Sequence, residues 1–216
     1  MASLKNNFPG VISAFKVAPS EIDEDQYYYI LHPGVLSDTV GTAAPSVNSG
    51  TFIITNPRIT YPRNLLLSAA GAGDYGGTAV VTGVNQFGEA VTDTIVIGSA
   101  AAGGTTNGDQ VFGSVTSANW YVNGTGNGTP KLGFSIGTSS AGTPMFGLPT
   151  KIASQSDIKQ VAWIDDNVEK STTGTVNLSQ HAVYIEVAGG LVNADSFVIK
   201  YRSSYDPSSE GLMAKL

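Results

Sequence analysis

Alternation of apolar and polar positions is clearest over residues 77–97. There Ala79, Val81 and Gly83 interleave with Thr78, Val80, Thr82 and Val84, and Val91, Thr92, Thr94, Ile95, Val96 and Ile97 make a second, β-branched run. Side chains branched at Cβ pack well on a pleated surface and lose rotamer freedom in a helix, so both runs are predicted strands. Between them Asn85-Gln86-Phe87-Gly88 has the chemistry of a type I turn closed by a glycine at positive φ. The stretch therefore predicts an antiparallel hairpin.

The same pattern predicts strands at 51–55, 64–69, 111–116, 119–122, 131–136, 159–164, 173–178, 181–187 and 196–201. Asn56-Pro57-Arg58 is expected to end the first of these, because proline lacks a donor and fixes φ. Segments 98–108 and 123–130, rich in glycine, are predicted loops; 139–149 is turn-rich, and 149–157 has room for one helical turn. About ten strands at this spacing predict an all-β fold, an antiparallel β-sandwich or barrel.

Residues 1–48 read differently. Pro9, Pro19, Pro33 and Pro45 interrupt any period, Glu21, Asp23, Glu24 and Asp25 form an acidic cluster, and Tyr27-Tyr28-Tyr29 follows it. An extended N-terminal arm is predicted for 1–48, and a β-sandwich or barrel domain for 49–216, whose length also allows two β-subdomains dividing near 150. The arm carries too many apolar residues for a solvated tail, so Phe8, Phe15, Tyr27, Tyr28 and Tyr29 are candidate contacts with a neighbouring subunit or a larger surface.

Composition narrows the functional classes. Lys plus Arg number 11 against 17 Asp plus Glu, a net charge of −6 with no basic run, so direct nucleic-acid binding is not expected. No cysteine is present, which removes disulfides and thiolate chemistry. No stretch approaches the roughly 18 apolar residues of a membrane helix and no signal-peptide pattern opens the chain, so a soluble protein made in a cytoplasm is expected, without a membrane partner.

Candidate chemistry is thin. Gly71-Ala72-Gly73-Asp74-Tyr75-Gly76 matches G-x-G-x-x-G, but a dinucleotide site needs that loop to open a helix, and here a strand pattern follows. His32 and His181 are the two histidines; neither belongs to a G-x-S-x-G elbow or a metal-ligand pair. Asp165-Asp166-Asn167 with Glu169 offers oxygens but lacks the spacing of a calcium loop, and Glu89 and Asp93 have no visible groove between them. No catalytic residue, cofactor or metal is therefore expected. Trp120 and Tyr121 are candidates for stacking on sugar, while Phe112, Phe134 and Trp163, inside predicted strands, read as core.

Asn56-Pro57-Arg58, the 77–97 hairpin, Val111-Phe-Gly-Ser-Val-Thr116, Phe146-Gly-Leu-Pro149 and Asp195-Ser-Phe-Val-Ile-Lys-Tyr201 occur in an order that resembles β-rich virion structural proteins of tailed bacteriophages, including head decoration (cement) proteins. The resemblance spans roughly residues 50–205 and rests on this diffuse pattern. It implies a non-enzymatic protein on the capsid exterior that binds the major capsid protein and itself, commonly as a homotrimer. The alternative is a tail or baseplate β-sandwich that binds a carbohydrate or receptor.

Overall fold

The computed structural model describes residues 25–31, 40–42, 49–70, 76–98, 104–122, 129–134, 144–165, 168–172, 174–185 and 196–203. In chain order the strands are β1 (Asp25–Leu31), β2 (Gly41–Thr42), β3 (Gly50–Thr51), β4 (Ile53–Ile54), β5 (Arg58–Ala70), β6 (Gly77–Val84), β7 (Ala90–Ile97) and β8 (Gly104–Val122). They continue as β9 (Thr129–Phe134), β10 (Met145–Gly147), β11 (Ile158–Asp165), β12 (Val168–Thr172), β13 (Gly174–Asn177), β14 (Ala182–Ile185) and β15 (Ser196–Arg202). A single 3-10 turn, Gln155–Asp157, is the only helical element among the described residues. The fold is all-β, with antiparallel sheets curled into a half-barrel.

One sheet has the order β1-β15-β11-β12; the other runs β13-β14-β10-β5-β8-β6-β7, with β2, β3, β4 and β9 attached at its flank. Two buried clusters hold them. Leu65, Leu67, Ala79, Val81, Ile95, Phe112, Trp120 and Leu132 fill the curl of the larger sheet. Tyr28, Tyr61, Phe146, Val161, Val183, Phe197 and Tyr201 lie between the two sheets. Strand β5 supplies side chains to both clusters, and membership of the second crosses residue 150 in both directions.

The 77–97 hairpin forms in the expected register, from Gly77 opposite Ile97 to Val84 opposite Ala90. Asn85 organises its turn. Its Oδ1 accepts the N–H groups of Phe87 and Glu89 at 2.9 and 3.0 Å, and the Asn85 carbonyl accepts the Gly88 N–H at 3.2 Å. Gly88 has φ 79°, the left-handed conformation the turn requires.

Several boundaries differ from expectation. The stretch 1–48 is not all arm: 25–31 is a strand paired along its whole length with β15, and Gly41–Thr42 bridges β4 and β9. Strand β5 starts at Arg58 and passes through Pro62. Arg58 pairs with Ser114 and Arg63 with Phe112, so Ile59, Thr60, Tyr61 and Pro62 bulge out against Gly113 alone, and the proline sits where the ladder demands no donor. Gly104–Gly108, predicted as loop, opens β8, which unites two predicted strands into 19 residues. Its glycines serve close approach: a Cβ at Gly108 would strike the Asp93 carboxylate, and one at Gly104 would sit 3.2 Å from Ile97. Met145–Gly147, predicted turn, is the fully buried β10, and β9 begins within the predicted loop 123–130 at Thr129.

Strand β8 changes partners near Gly113. Before it, β8 pairs with β5; after it, with β6, and Ser114 faces both Arg58 and Val84. Buried and half-buried polar side chains satisfy the backbone at this corner. Asp93 Oδ2 accepts the Gln110 N–H at 3.1 Å and Gln180 Oε1 accepts the Val111 N–H at 3.3 Å. Asn64 donates to the Gly108 carbonyl at 3.1 Å and accepts the Met145 N–H at 2.8 Å. Backbone groups without ladder partners thereby gain partners away from water.

Candidate functional site

Of the candidate contacts in the N-terminal stretch, Phe8 and Phe15 lie outside the described residues. The three tyrosines fall in β1, which pairs with β15 alone and so forms an edge of its sheet among the described residues. Alternation along the strand separates their roles. Tyr28 points into the core between the sheets, 1% exposed, and is corrected here from a surface contact to a core residue. Burial first, then the neighbouring Tyr61 and Tyr201 hydroxyls, push its own hydroxyl well above the usual tyrosine range. Tyr27 is 40% exposed, opposite Lys200 in the ladder, with the ammonium 5.7 Å from its ring centroid. Tyr29 holds the next place in the ladder, opposite Val198.

Of the titratable residues singled out in the sequence, Glu89 and His181 come together at the hairpin tip, with Lys151 between them. Lys151 Nζ lies 3.5 Å from Glu89 Oε1 and 5.3 Å from the Phe87 ring centroid, and Phe87 meets the His181 ring edge-on at 5.8 Å. Asn85 donates to Glu89 at 2.9 Å, which first of all holds that exposed carboxyl below its ordinary range, with Lys151 adding to the effect. His181 takes a positive φ of 48°, and its Nδ1 sits 3.1 Å from the Ile152 carbonyl oxygen. Burial lowers its pKa, Lys151 lowers it further, and the contacts with Ile152 and Glu89 oppose them. Gln86 donates to the Gln180 carbonyl at 2.7 Å in the same region. The arrangement docks the tip of the β6–β7 hairpin onto the segments around Lys151 and His181. Its ion pair joins two exposed side chains and adds little to stability.

An open groove of about 460 Å³ lies beside the β5 bulge, lined by Arg58, Thr60, Pro62, Asn85, Gln86 and Gly113 among others. Asp93 and Glu89 do not face each other across it: Asp93 is buried at the corner described above, and Glu89 is on the exposed tip. No group of three or more metal-ligating side chains occurs among the described residues. Segment 71–75 of the glycine motif lies outside the described residues; Gly77, just beyond it, opens strand β6 rather than a helix. No helix among the described residues is long and apolar enough to cross a membrane.

The proposed stacking pair is separated by strand alternation. Trp120 is 4% exposed within the half-barrel core, where a Cβ at Gly77 would collide with its ring, whereas Tyr121 is 49% exposed on the opposite face. Phe112 and Phe146 are wholly buried. What sequence reasoning missed is the outer wall itself. Thr78 is the register partner of both Val96 and Tyr121, and Val80 of both Thr94 and Asn119. Thr82 likewise joins Thr92 and Ser117, and Thr51 extends the second row across β8 by pairing with Asn119. The signal was present in the parity of the hairpin, which assigns every even-numbered residue of β6 to one face.

Comparison with protein-family models, with curated proteins and with solved structures finds no match to the chain.

Proposed function

We propose that this chain is a non-enzymatic virion structural protein, a head decoration protein that binds and stabilises a capsid shell through protein–protein contacts. The observation that carries the reading is the β1 edge. A seven-residue strand that pairs, among the described residues, with β15 alone presents Tyr27 to solvent, and it directly follows the stretch that contains Phe8 and Phe15. Exposed strand edges are templates for pairing with another chain, by which main-chain hydrogen bonds give affinity and alternate side chains give specificity. The order of strand motifs that resembles phage virion proteins supports the same reading, with the major capsid protein and further copies of this chain as partners and a trimer as the expected assembly.

The test combines light scattering on the purified protein with co-sedimentation on purified shells. A homo-oligomer that binds shells, with binding weakened in Tyr27→Ala at unchanged circular dichroism, is the expected result. A monomer that ignores shells overturns the proposal.

A further inference from the structure

We infer that the outer wall of β3, β8, β6 and β7 is a binding face for neutral polysaccharide, centred on Tyr121. This goes beyond the capsid-binding reading and does not depend on it. The wall is built from side chains that alternate with the half-barrel core, so its shape is fixed by the sheet beneath. Its rows are Val96, Thr78 and Tyr121; then Thr94, Val80, Asn119 and Thr51; then Thr92, Thr82 and Ser117. None of these residues is charged.

Three features favour sugar over other ligands. Tyr121 presents an aromatic ring at 49% exposure, and an aromatic face is the usual platform for the C–H side of a pyranose ring. Around it lie neutral hydrogen-bonding groups held in place by their neighbours: Thr51 donates to Asn119 Oδ1 at 3.1 Å, and the Thr82 and Ser117 hydroxyls meet at 2.7 Å. Hydroxyl and amide groups suit an uncharged polyol, and the chain's net charge of −6 disfavours acidic glycans. The size points the same way. Three strand spacings by two two-residue steps make a wall of about 15 by 14 Å, roughly 200 Å². A stable protein–protein interface needs about 800 Å² from each partner, whereas two strand spacings, about 10 Å from Val96 to Tyr121, match a short oligosaccharide.

The experiment is a calorimetric titration of the full chain with cellohexaose, maltohexaose and mannohexaose, alongside the polyanion alginate, backed by an array of neutral glycans. Binding to at least one neutral glycan and none to alginate is expected. Tyr121→Ala is expected to weaken that binding about tenfold, while buried Trp120 fluorescence, reporting the fold, stays unchanged. Thr94→Lys is a second variant, on an exposed position that leaves the core untouched, and is expected to weaken it too. Three results overturn the inference: no binding across the neutral array, binding indifferent to both variants, or concentration-dependent self-association that Thr94→Lys abolishes, which would assign the wall to a second copy of the chain. Capsid binding is read separately through Tyr27→Ala, so the two proposals fail independently.

Discussion

Asp93 shows how much one side chain carries in this fold. It lies on β7, which among the described residues pairs with β6 alone, and it points inward, a device that discourages edge-to-edge pairing. Its Oδ1 accepts the Thr94 N–H at 2.8 Å and its Oδ2 the Gln110 N–H, so it ties the hairpin to the other half of β8. Burial raises its pKa, with the backbone hydrogen bonds opposing and Asp109 adding to the rise. A carboxyl whose pKa is higher folded than unfolded binds protons more tightly in the native state. Its contribution to stability is therefore fullest below the unfolded pKa and is lost as pH rises through the folded value. Chemical denaturation of the wild type and Asp93→Asn at a series of pH values between about 3 and 7 checks this: the wild type gains relative to the variant as pH falls. A difference that is flat, or of opposite slope, contradicts the assignment. Tyr201, pushed up to about 12 mainly by burial and tempered by Thr150, stays neutral throughout that range.

Elements defined by neighbouring residues were legible in the sequence, and the hairpin is the clearest case because Asn85 and Gly88 encode its turn locally. Substitutions at two glycines separate the causes. Gly88 has open space around its Cα, so Gly88→Ala meets only the cost of a positive φ, about 1 kcal/mol, and Gly88→Asn less. Gly83 has ordinary φ, but a Cβ there would overlap the Ser114 carbonyl oxygen, which is backbone and cannot swing away. Gly83→Ala is expected to lose at least about 1–3 kcal/mol, and Gly83→Asn no less. Urea midpoints of the four variants give the comparison. What the sequence concealed depends on distant partners. Residues 58–63 lie outside the predicted strands until Gly113 supplies the bulge, Gly104 and Gly108 look like loop until Ile97 and Asp93 supply the close approach, and Tyr28 looks like a surface tyrosine until β15 pairs with β1. The outer wall was half visible: Tyr121 stood out as an aromatic, but its separation from Trp120 and its alignment with Thr78 and Val96 follow from register.

At the scale of the whole molecule, the question is whether the half-barrel core and the core between the sheets are independent. The connections argue against it. Strand β5 places Leu65 and Leu67 in one cluster and Tyr61 in the other, while β10 pairs with β5 and puts Phe146 in the second cluster. Strand β1, early in the chain, completes the sheet built from β11, β12 and β15, so the core between the sheets is not made from one continuous stretch. Loosening β5 to unfold the half-barrel strips Tyr61 and the β10 pairing from the other core at the same time. One cooperative transition is therefore expected. The two tryptophans divide conveniently, Trp120 in the half-barrel cluster and Trp163 on β11 of the smaller sheet. Single-tryptophan proteins made by Trp163→Phe and Trp120→Phe, each compared with circular dichroism of the same sample, are expected to give coincident denaturant midpoints by both probes. Leu67→Ala, a wholly buried residue of the half-barrel, is expected to cost about 2–5 kcal/mol and to lower the midpoint reported by Trp163 as much as that reported by Trp120. If Trp163 holds its midpoint while that of Trp120 falls, β5 does not couple the cores, and the chain is two folding units that share a strand in space alone.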